Sequence, residues 1–191
     1  MLAEGFELPL DPFQGRGQRT AGIHLTDVIS YLERVKGQTA PNYEGWEEAA
    51  LVGLLWEDAV SQALTTQFHR SGDGGIEPVG ELEHDGVLLT PDGYDPVEDA
   101  VWEFKATWKS SRTAPEEVWR YLVQLKAYCH VLGTRVGKLV VLYVCGDYQR
   151  PQRPQRVGRR LTFSAQELEE NWRMIVGGAR VMEERRGRET W

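Results

Sequence analysis

Cysteine and long apolar runs are both scarce in this sequence. It contains 2 cysteines, Cys129 and Cys145, which are too few for a four-cysteine iron–sulfur cluster. In a reducing compartment, such thiols are expected to remain reduced inside the core. No apolar run approaches the roughly 20 residues that cross a bilayer, and residues 1–5 do not resemble the start of a secretory signal. We therefore expect a cytoplasmic protein without a membrane span or an iron–sulfur cluster.

Lysine is also rare, and the chain as a whole is acidic. There are 17 arginines, 5 lysines and 29 aspartates and glutamates, which give a net charge of -7. This charge does not exclude a nucleic-acid partner, because carboxylates clustered around cations are partly neutralised and the position of the positive charge matters more. Arginine suits phosphate recognition through its bidentate fork, although genome base composition would produce the same bias.

The remaining composition is typical of a folded domain. Hydrophobic residues make up 41% of the chain, with 7 tryptophans and 7 tyrosines, and 191 residues suit a single domain with a full core. Residues 1–20 contain Pro9, Pro12 and Gly15 without any periodicity, which predicts an extended N-terminal arm. Residues 21–191 are predicted to form one domain.

A tight turn and a later strand are predicted between residues 85 and 107. The Asp85-Gly86 pair favours a hairpin turn before the short apolar run 87–90. Asp92 follows this run, and residues 100–107 form the second strand. If the two runs are hairpin neighbours, about 5 Å separates them, and Asp92 comes close to the second strand.

Successive side chains of the second strand are predicted to point to opposite faces, one polar and one apolar. Glu103 and Lys105 share one face, whereas Trp102 and Phe104 share the other. Two carboxylates as close as Asp92 and Glu103 repel each other unless a cation lies between them, and Mg²⁺ prefers carboxylate oxygen. A lysine beside such a site can orient a water molecule or stabilise phosphate charge. The pattern indicates a metal-dependent phosphodiesterase.

Pro91-Asp92, followed by Glu103-Phe104-Lys105, resembles the signature of the PD-(D/E)XK nuclease superfamily. The resemblance implies an α/β fold with a restriction-endonuclease-like core, in which a mixed central β-sheet is flanked by helices on both sides. It also implies that the two carboxylates and the Phe104 carbonyl bind one or two Mg²⁺ or Mn²⁺ ions, and that Lys105 positions the attacking water. Ordinary alternatives are a Pro-Asp-Gly turn and a strand with Glu and Lys facing solvent.

A further acidic residue lies in a predicted helix over residues 43–68. Glu57 interrupts its mostly apolar pattern four residues after Gly53, and a carboxylate there is costly unless it is paired or bound to metal. This Gly-x-x-x-Glu element is similar to the first motif of the superfamily, which implies that Glu57 is a catalytic metal ligand. Asp58 points about 100° away and is the weaker candidate. An exposed or ion-paired Glu57 is the alternative.

Gln124 and Tyr128 stand four residues apart on a helix predicted to begin with a capping box at residues 113–116 and to end near Leu132. Gln-x-x-x-Tyr is similar to a motif of RecB-type and phage-type exonucleases in this superfamily. The resemblance implies that both residues steady the substrate strand or Lys105. Simple packing of the two side chains is the alternative.

Two basic segments are candidates for contacts with DNA. Residues 107–112 combine an aromatic residue with cations, which could stack a base and hold phosphate. Residues 146–160 are rich in arginine and proline and are predicted to form an extended hairpin tip or a loop. Merely solvated loops would have the same composition. The candidates are Trp108, Lys109, Arg112, Arg150, Arg153 and Arg156.

Taken with the resemblance, these residues predict a metal-dependent deoxyribonuclease in the cytoplasm of a bacterial host cell. An exonuclease of phage or bacterial recombination or repair is favoured, with DNA as substrate and a homo-oligomer or a recombination partner protein as possible assemblies. Two alternatives stay open. One is a catalytically silent DNA-binding or assembly protein with the same fold, and the other is a sequence-specific endonuclease.

Overall fold

The computed structural model describes residues 20–37, 51–53, 55–56, 58–60, 62–63 and 75–189. The expected N-terminal arm, except residue 20, and Glu57 lie outside these residues. The strands are β1 (Ile23–His24), β2 (Leu82–His84), β3 (Val87–Leu89), β4 (Gly93–Asp95), β5 (Ala100–Thr107), β6 (Val136–Tyr143) and β7 (Gln155–Thr162). The helices are α1 (Leu25–Val35), a 3-10 turn (Pro115–Glu117), α2 (Trp119–Leu132) and α3 (Ala165–Glu189).

The strands form two mixed sheets. The larger sheet has the order β4-β5-β6-β7, in which β5 and β6 are parallel and the two edge strands are antiparallel to their neighbours. The smaller sheet has the order β1-β3-β2. The sequence predicted one central mixed sheet, so its mixed character is confirmed, and its division into two sheets is an additional finding.

Helical residues cover both faces of the larger sheet. Helices α1, α2 and α3 pack together over one face, where Leu125, Leu139 and Ile175 are fully buried. On the opposite face, Phe104 packs with Val60, which is helical. The predicted arrangement, with helices on both sides of a sheet, is therefore confirmed. None of the helices within the described ranges is long and apolar enough to span a bilayer.

The predicted Asp85-Gly86 turn is present, but the expected pairing beyond it is wrong. Asp85 has φ 48° and Gly86 has φ 76°, as a tight turn between antiparallel strands requires. Strand β3 pairs in the smaller sheet, whereas β5 pairs with the three residues of β4. Gly93 makes this possible, because a Cβ there would lie 2.2 Å from the side chain of Ile76.

Residues 155–160, predicted as part of a hairpin tip or loop, belong to strand β7. This strand pairs with β6 along eight residues. Within the described part of the chain its other edge has no neighbouring strand. An edge strand tolerates solvated arginines because few of its side chains are buried, so the sequence resembles a loop.

Helix α3 begins at a capping box, whereas the capping box predicted at residues 113–116 does not form. Ser164 and Glu167 exchange hydrogen bonds at the start of α3, since the Glu167 N–H donates to Ser164 Oγ at 3.2 Å and the Ser164 N–H donates to the Glu167 carboxylate at 2.9 Å. At the predicted start of α2, residues 115–117 form a 3-10 turn, and the helix begins at Trp119 without a side-chain cap. Helix α3 also continues through Gly178, which packs closely against Val28 of α1.

Candidate active site

Strand β5 directs Glu103 and Lys105 towards helix α2. In the parallel pairing with β6, Glu103 lies beside Leu139 and Lys105 beside Val141. Two residues away, Gly137 has the same orientation as Leu139, and a Cβ on it would lie 2.6 Å from the Leu125 side chain of α2. This face is therefore covered by a helix, and the alternative of a solvent-facing Glu103 is wrong, because its exposed fraction is 0%.

Asp92 lies across the strand pair from Glu103. The antiparallel ladder of β4 and β5 begins with Gly93 opposite Trp102, so the preceding residue, Asp92, comes opposite Glu103. Asp92 Oδ2 also accepts a hydrogen bond of 2.7 Å from the Phe104 N–H. Cross-strand neighbours have Cβ atoms about 4.5–5.5 Å apart. The two carboxylates predicted from the motif are therefore neighbours in space.

An ion pair joins Glu103 to Lys105. The Lys105 ammonium contacts Glu103 Oε1, and the Lys105 side chain keeps 20% of its surface exposed. Burying a carboxylate is costly unless a partner compensates its charge, and the lysine supplies that compensation. With Asp92, the three groups carry two negative charges and one positive charge. The site thus has an excess negative charge next to an ammonium group.

The described side chains of the site have the ligand atoms that a hard divalent cation prefers. Asp92 and Glu103 provide the carboxylate oxygens that Mg²⁺ and Mn²⁺ prefer. Among the residues described here, no three His, Cys, Asp or Glu side chains form a group that could hold a metal ion. The third predicted ligand, Glu57, lies outside them, and the weaker candidate Asp58 is exposed. Phe104, whose carbonyl was the fourth predicted ligand, is buried next to Glu103.

The predicted Gln-x-x-x-Tyr pair lies on the helix that covers Glu103. Gln124 Nε2 donates a hydrogen bond of 2.8 Å to Tyr128 Oη, and both side chains are buried. At 100° per residue, Gln124 and Tyr128 lie within about 100° of Leu125 around the helix. Tyr128 is about 60° and Gln124 about 100° from this residue, which packs on β6, so Tyr128 is the nearer of the two to that side. Their role towards the substrate or Lys105 stays a prediction.

Of the six predicted DNA contacts, one lies in a strand and five lie in loops. All six candidate residues are exposed. Arg156 pairs with Leu142, which in turn pairs with Ala106, so its side chain points to the face opposite that of Lys105. The structure does not bring Arg156 together with Glu103 and Lys105. The other five candidates lie in the loops that follow β5 and β6: Trp108, Lys109, Arg112, Arg150 and Arg153.

Sequence reasoning did not identify Tyr148 as a candidate. Its hydroxyl donates a hydrogen bond to the backbone carbonyl of Trp108, and 49% of its surface is exposed. The available signal was an aromatic residue at the start of the arginine-rich segment. A contact between positions 40 residues apart could not be predicted from that signal.

Cys129 does not offer a second reactive centre. Burial raises the pKa of the Cys129 thiol to about 12, so this thiol is protonated at neutral pH. A protonated thiol is neither a good nucleophile nor a metal ligand. Cys145 is half-buried, and both cysteines are free thiols. The reactive groups of this site are therefore its carboxylates and its lysine.

No protein-family model matches the sequence, and a comparison with curated proteins finds no match. Solved structures do match. An alkaline exonuclease from Laribacter hongkongensis aligns with a TM-score of 0.55 and 16% identity over 88% of this chain and 93% of that chain. The same exonuclease in complex with dAMP aligns with a TM-score of 0.54 and 16% identity over 86% of this chain and 89% of that chain.

A phage related exonuclease from Haemophilus somnus 129PT also matches. Its TM-score is 0.53 at 10% identity, and the alignment covers 91% of this chain and 98% of that chain. At these identities the likeness is one of fold. The chain therefore shares the fold of these exonuclease structures along most of its length.

Proposed function

We propose that this chain is a metal-dependent deoxyribonuclease of the PD-(D/E)XK type, which hydrolyses phosphodiester bonds in DNA. One observation carries the proposal. Asp92 lies opposite Glu103, and Lys105 forms an ion pair with Glu103, within a fold shared with exonuclease structures. Two carboxylates and an ammonium at neighbouring positions can hold a hard cation and orient water.

Each residue of the site has a proposed role. Asp92 and Glu103, together with the Phe104 carbonyl and Glu57, would hold one or two Mg²⁺ or Mn²⁺ ions, which when bound supply Lewis-acid stabilisation of the attacking and leaving oxygens. Lys105 orients the attacking water, and its positive charge favours the phosphate that approaches the site. Gln124 and Tyr128, which share a hydrogen bond on helix α2, would hold the substrate strand or Lys105 in place.

An exonuclease is favoured over an endonuclease because the aligned structures are described as exonucleases, one of them in complex with dAMP. The description of one as phage related supports a role in phage or bacterial recombination or repair. We extend the proposal to a homo-oligomer and a recombination partner protein, which this type of exonuclease would use, and to the cytoplasm as its location.

The proposal can be tested with purified protein, linear duplex DNA and added Mg²⁺ or Mn²⁺. Lys105→Ala should lower the rate of degradation by about 10²-fold or more, as expected when a group that stabilises developing charge is removed. Asp92→Asn should also lose activity, while its amide oxygen can still accept the Phe104 N–H hydrogen bond. Lys126→Ala is the matched control, because Lys126 pairs with Glu167 away from the site.

Three outcomes decide between the candidate functions. Degradation of linear DNA with sparing of a closed circular plasmid identifies an exonuclease. Cleavage of the closed circle identifies an endonuclease. If neither substrate is cleaved with either metal, or if Lys105→Ala remains fully active, the nuclease proposal is wrong, and DNA binding without cleavage would identify a catalytically silent DNA-binding protein.

A further inference from the structure

Two loops at the carboxyl ends of β5 and β6 form one exposed surface. We call this surface, made of residues 107–112 and 144–150, the two-loop platform. Its loops are joined by backbone hydrogen bonds, because the Val144 N–H donates to the Thr107 carbonyl and the Ser111 N–H donates to the Gly146 carbonyl, both at 2.9 Å. These bonds fix the loops relative to each other before any ligand is present.

Two aromatic side chains are exposed on the two-loop platform. Trp108 has 38% and Tyr148 has 49% of its surface exposed. The Tyr148 hydroxyl donates to the Trp108 carbonyl, so the tyrosine side chain bridges the two loops. Tyr148 also has φ 66°, a conformation that is uncommon for a bulky residue. The surrounding loop therefore holds Tyr148 in place, although 49% of its surface stays exposed.

The charge of the two-loop platform is opposite to that of the whole chain. The cations Lys109, Arg112 and Arg150 are exposed, and the platform has one carboxylate, Asp147, which lies 4.0 Å from Arg112. The chain as a whole carries a net charge of -7. A local excess of positive charge on an acidic protein favours a polyanionic ligand at this place.

The two-loop platform begins close to the candidate site. Trp108 follows Lys105 by three positions and lies one residue beyond the end of β5. A strand rises by about 3.3 Å per residue. The platform therefore lies roughly 10 Å from the lysine along the strand direction. A strand of nucleic acid bound there would extend past the groups proposed to perform hydrolysis.

We propose that the two-loop platform binds unpaired nucleotides of single-stranded DNA, with Trp108 and Tyr148 stacking on bases while Lys109, Arg112 and Arg150 hold phosphates. Exposed aromatic rings beside cations form the usual surface for single strands, because bases offer flat faces that a duplex conceals. The ligand is taken as DNA from the proposed function. The new element is the second stacking ring, Tyr148, on a loop joined to that of Trp108.

The test compares two short oligonucleotides of equal length and charge. One is oligothymidine, and the other has the same backbone with abasic sites throughout. Fluorescence anisotropy in EDTA measures their binding to the full chain without cleavage. The wild type should bind oligothymidine about 5-fold or more tightly than the abasic strand, as expected for one stacked base. Trp108→Ala and Tyr148→Ala should reduce this preference, whereas Arg150→Ala should weaken both ligands alike.

Control variants separate stacking from damage to the fold. Tyr31→Ala removes an aromatic residue from helix α1, where it lies under Arg185, and should leave the preference unchanged. Tyr148→Phe keeps the ring and should retain the preference even though its hydrogen bond to Trp108 is lost. Thermal unfolding identifies any alanine variant that fails to fold, and Trp108→Leu then replaces Trp108→Ala.

The platform proposal is overturned if the wild type binds both oligonucleotides equally, or if folded variants lacking either aromatic ring keep the full preference. The nuclease proposal fails by a different result, namely the absence of metal-dependent degradation. Binding with a base preference but without cleavage would support the platform alone. Cleavage without any base preference would support the nuclease alone.

Discussion

Replacing Lys105 by methionine should lower the free energy of unfolding of the metal-free protein. The size of the loss depends on the burial of Glu103 and Lys105. The substitution leaves the Glu103 carboxylate, which has 0% exposure, without its ammonium and opposite Asp92. Removing one partner of a buried ion pair costs about 3–5 kcal/mol. Because the Lys105 side chain is 20% exposed, water can reach the position of the missing ammonium. We therefore expect the free energy of unfolding to fall by about 3 kcal/mol.

The expected loss can be measured as a change in the melting temperature. For a chain of this size, 1 kcal/mol corresponds to about 2–4 °C, so the free-energy loss predicts a fall of about 6–12 °C. Thermal unfolding in EDTA, followed by circular dichroism, compares the wild type with Lys105→Met, Glu103→Gln and the double variant. The double variant should recover most of the stability because the buried charge is absent. A fall below about 2 °C, or no recovery in the double variant, would refute the assigned ion pair.

Three further predictions concern the packing, the capping and the pH dependence of the fold. Gly137→Ala should cost about 1–3 kcal/mol in chemical denaturation, because its Cβ would lie 2.6 Å from Leu125, while Gly158→Ala, with no atom within 4 Å, should be nearly neutral. Ser164→Ala should cost about 1 kcal/mol by loss of the cap of α3, and an unchanged melting temperature would contradict this. Burial lowers the pKa of His130 from its ordinary value of 6.5. The stability that the neutral imidazole contributes is therefore present above pH 6.5 and is lost as the pH falls below this value. Substitution His130→Gln should reduce this loss in melting curves at pH 5 to 8.

Local patterns were sufficient to predict the strand that carries the candidate site. The alternation of residues 100–107 has a period of two, and a backbone with that period places Glu103 and Lys105 on one face whatever packs above it. The Asp85-Gly86 turn was equally predictable, because few other residue pairs accept positive φ at two successive positions. These features depend on neighbours along the chain.

Features that depend on distant contacts were not predictable. Strand β4 is three residues long and begins at Gly93. Because glycine has no Cβ, Ile76 can approach Gly93 closely while the strand pairs with β5. The place of Tyr148 depends on a hydrogen bond across 40 residues. Neither contact leaves a periodic signal in the sequence. The closeness of Asp92 to Glu103 was expected from a pairing of residues 87–90 with β5, whereas β4 is the strand that brings Asp92 there.

The edge of β7 that pairs with no strand of the described residues affects how copies of this protein meet in solution. Eight successive residues present backbone along that edge, and three of them are Arg156, Arg159 and Arg160. Arg159 and Arg160 pair with Glu116 and Glu98 of the same chain, whereas Arg156 is exposed. Two copies that aligned these edges would bring the Arg156 side chains of both copies onto one edge. Arg156 therefore opposes growth of the sheet from one molecule to the next, most strongly at low ionic strength, where charges are least screened.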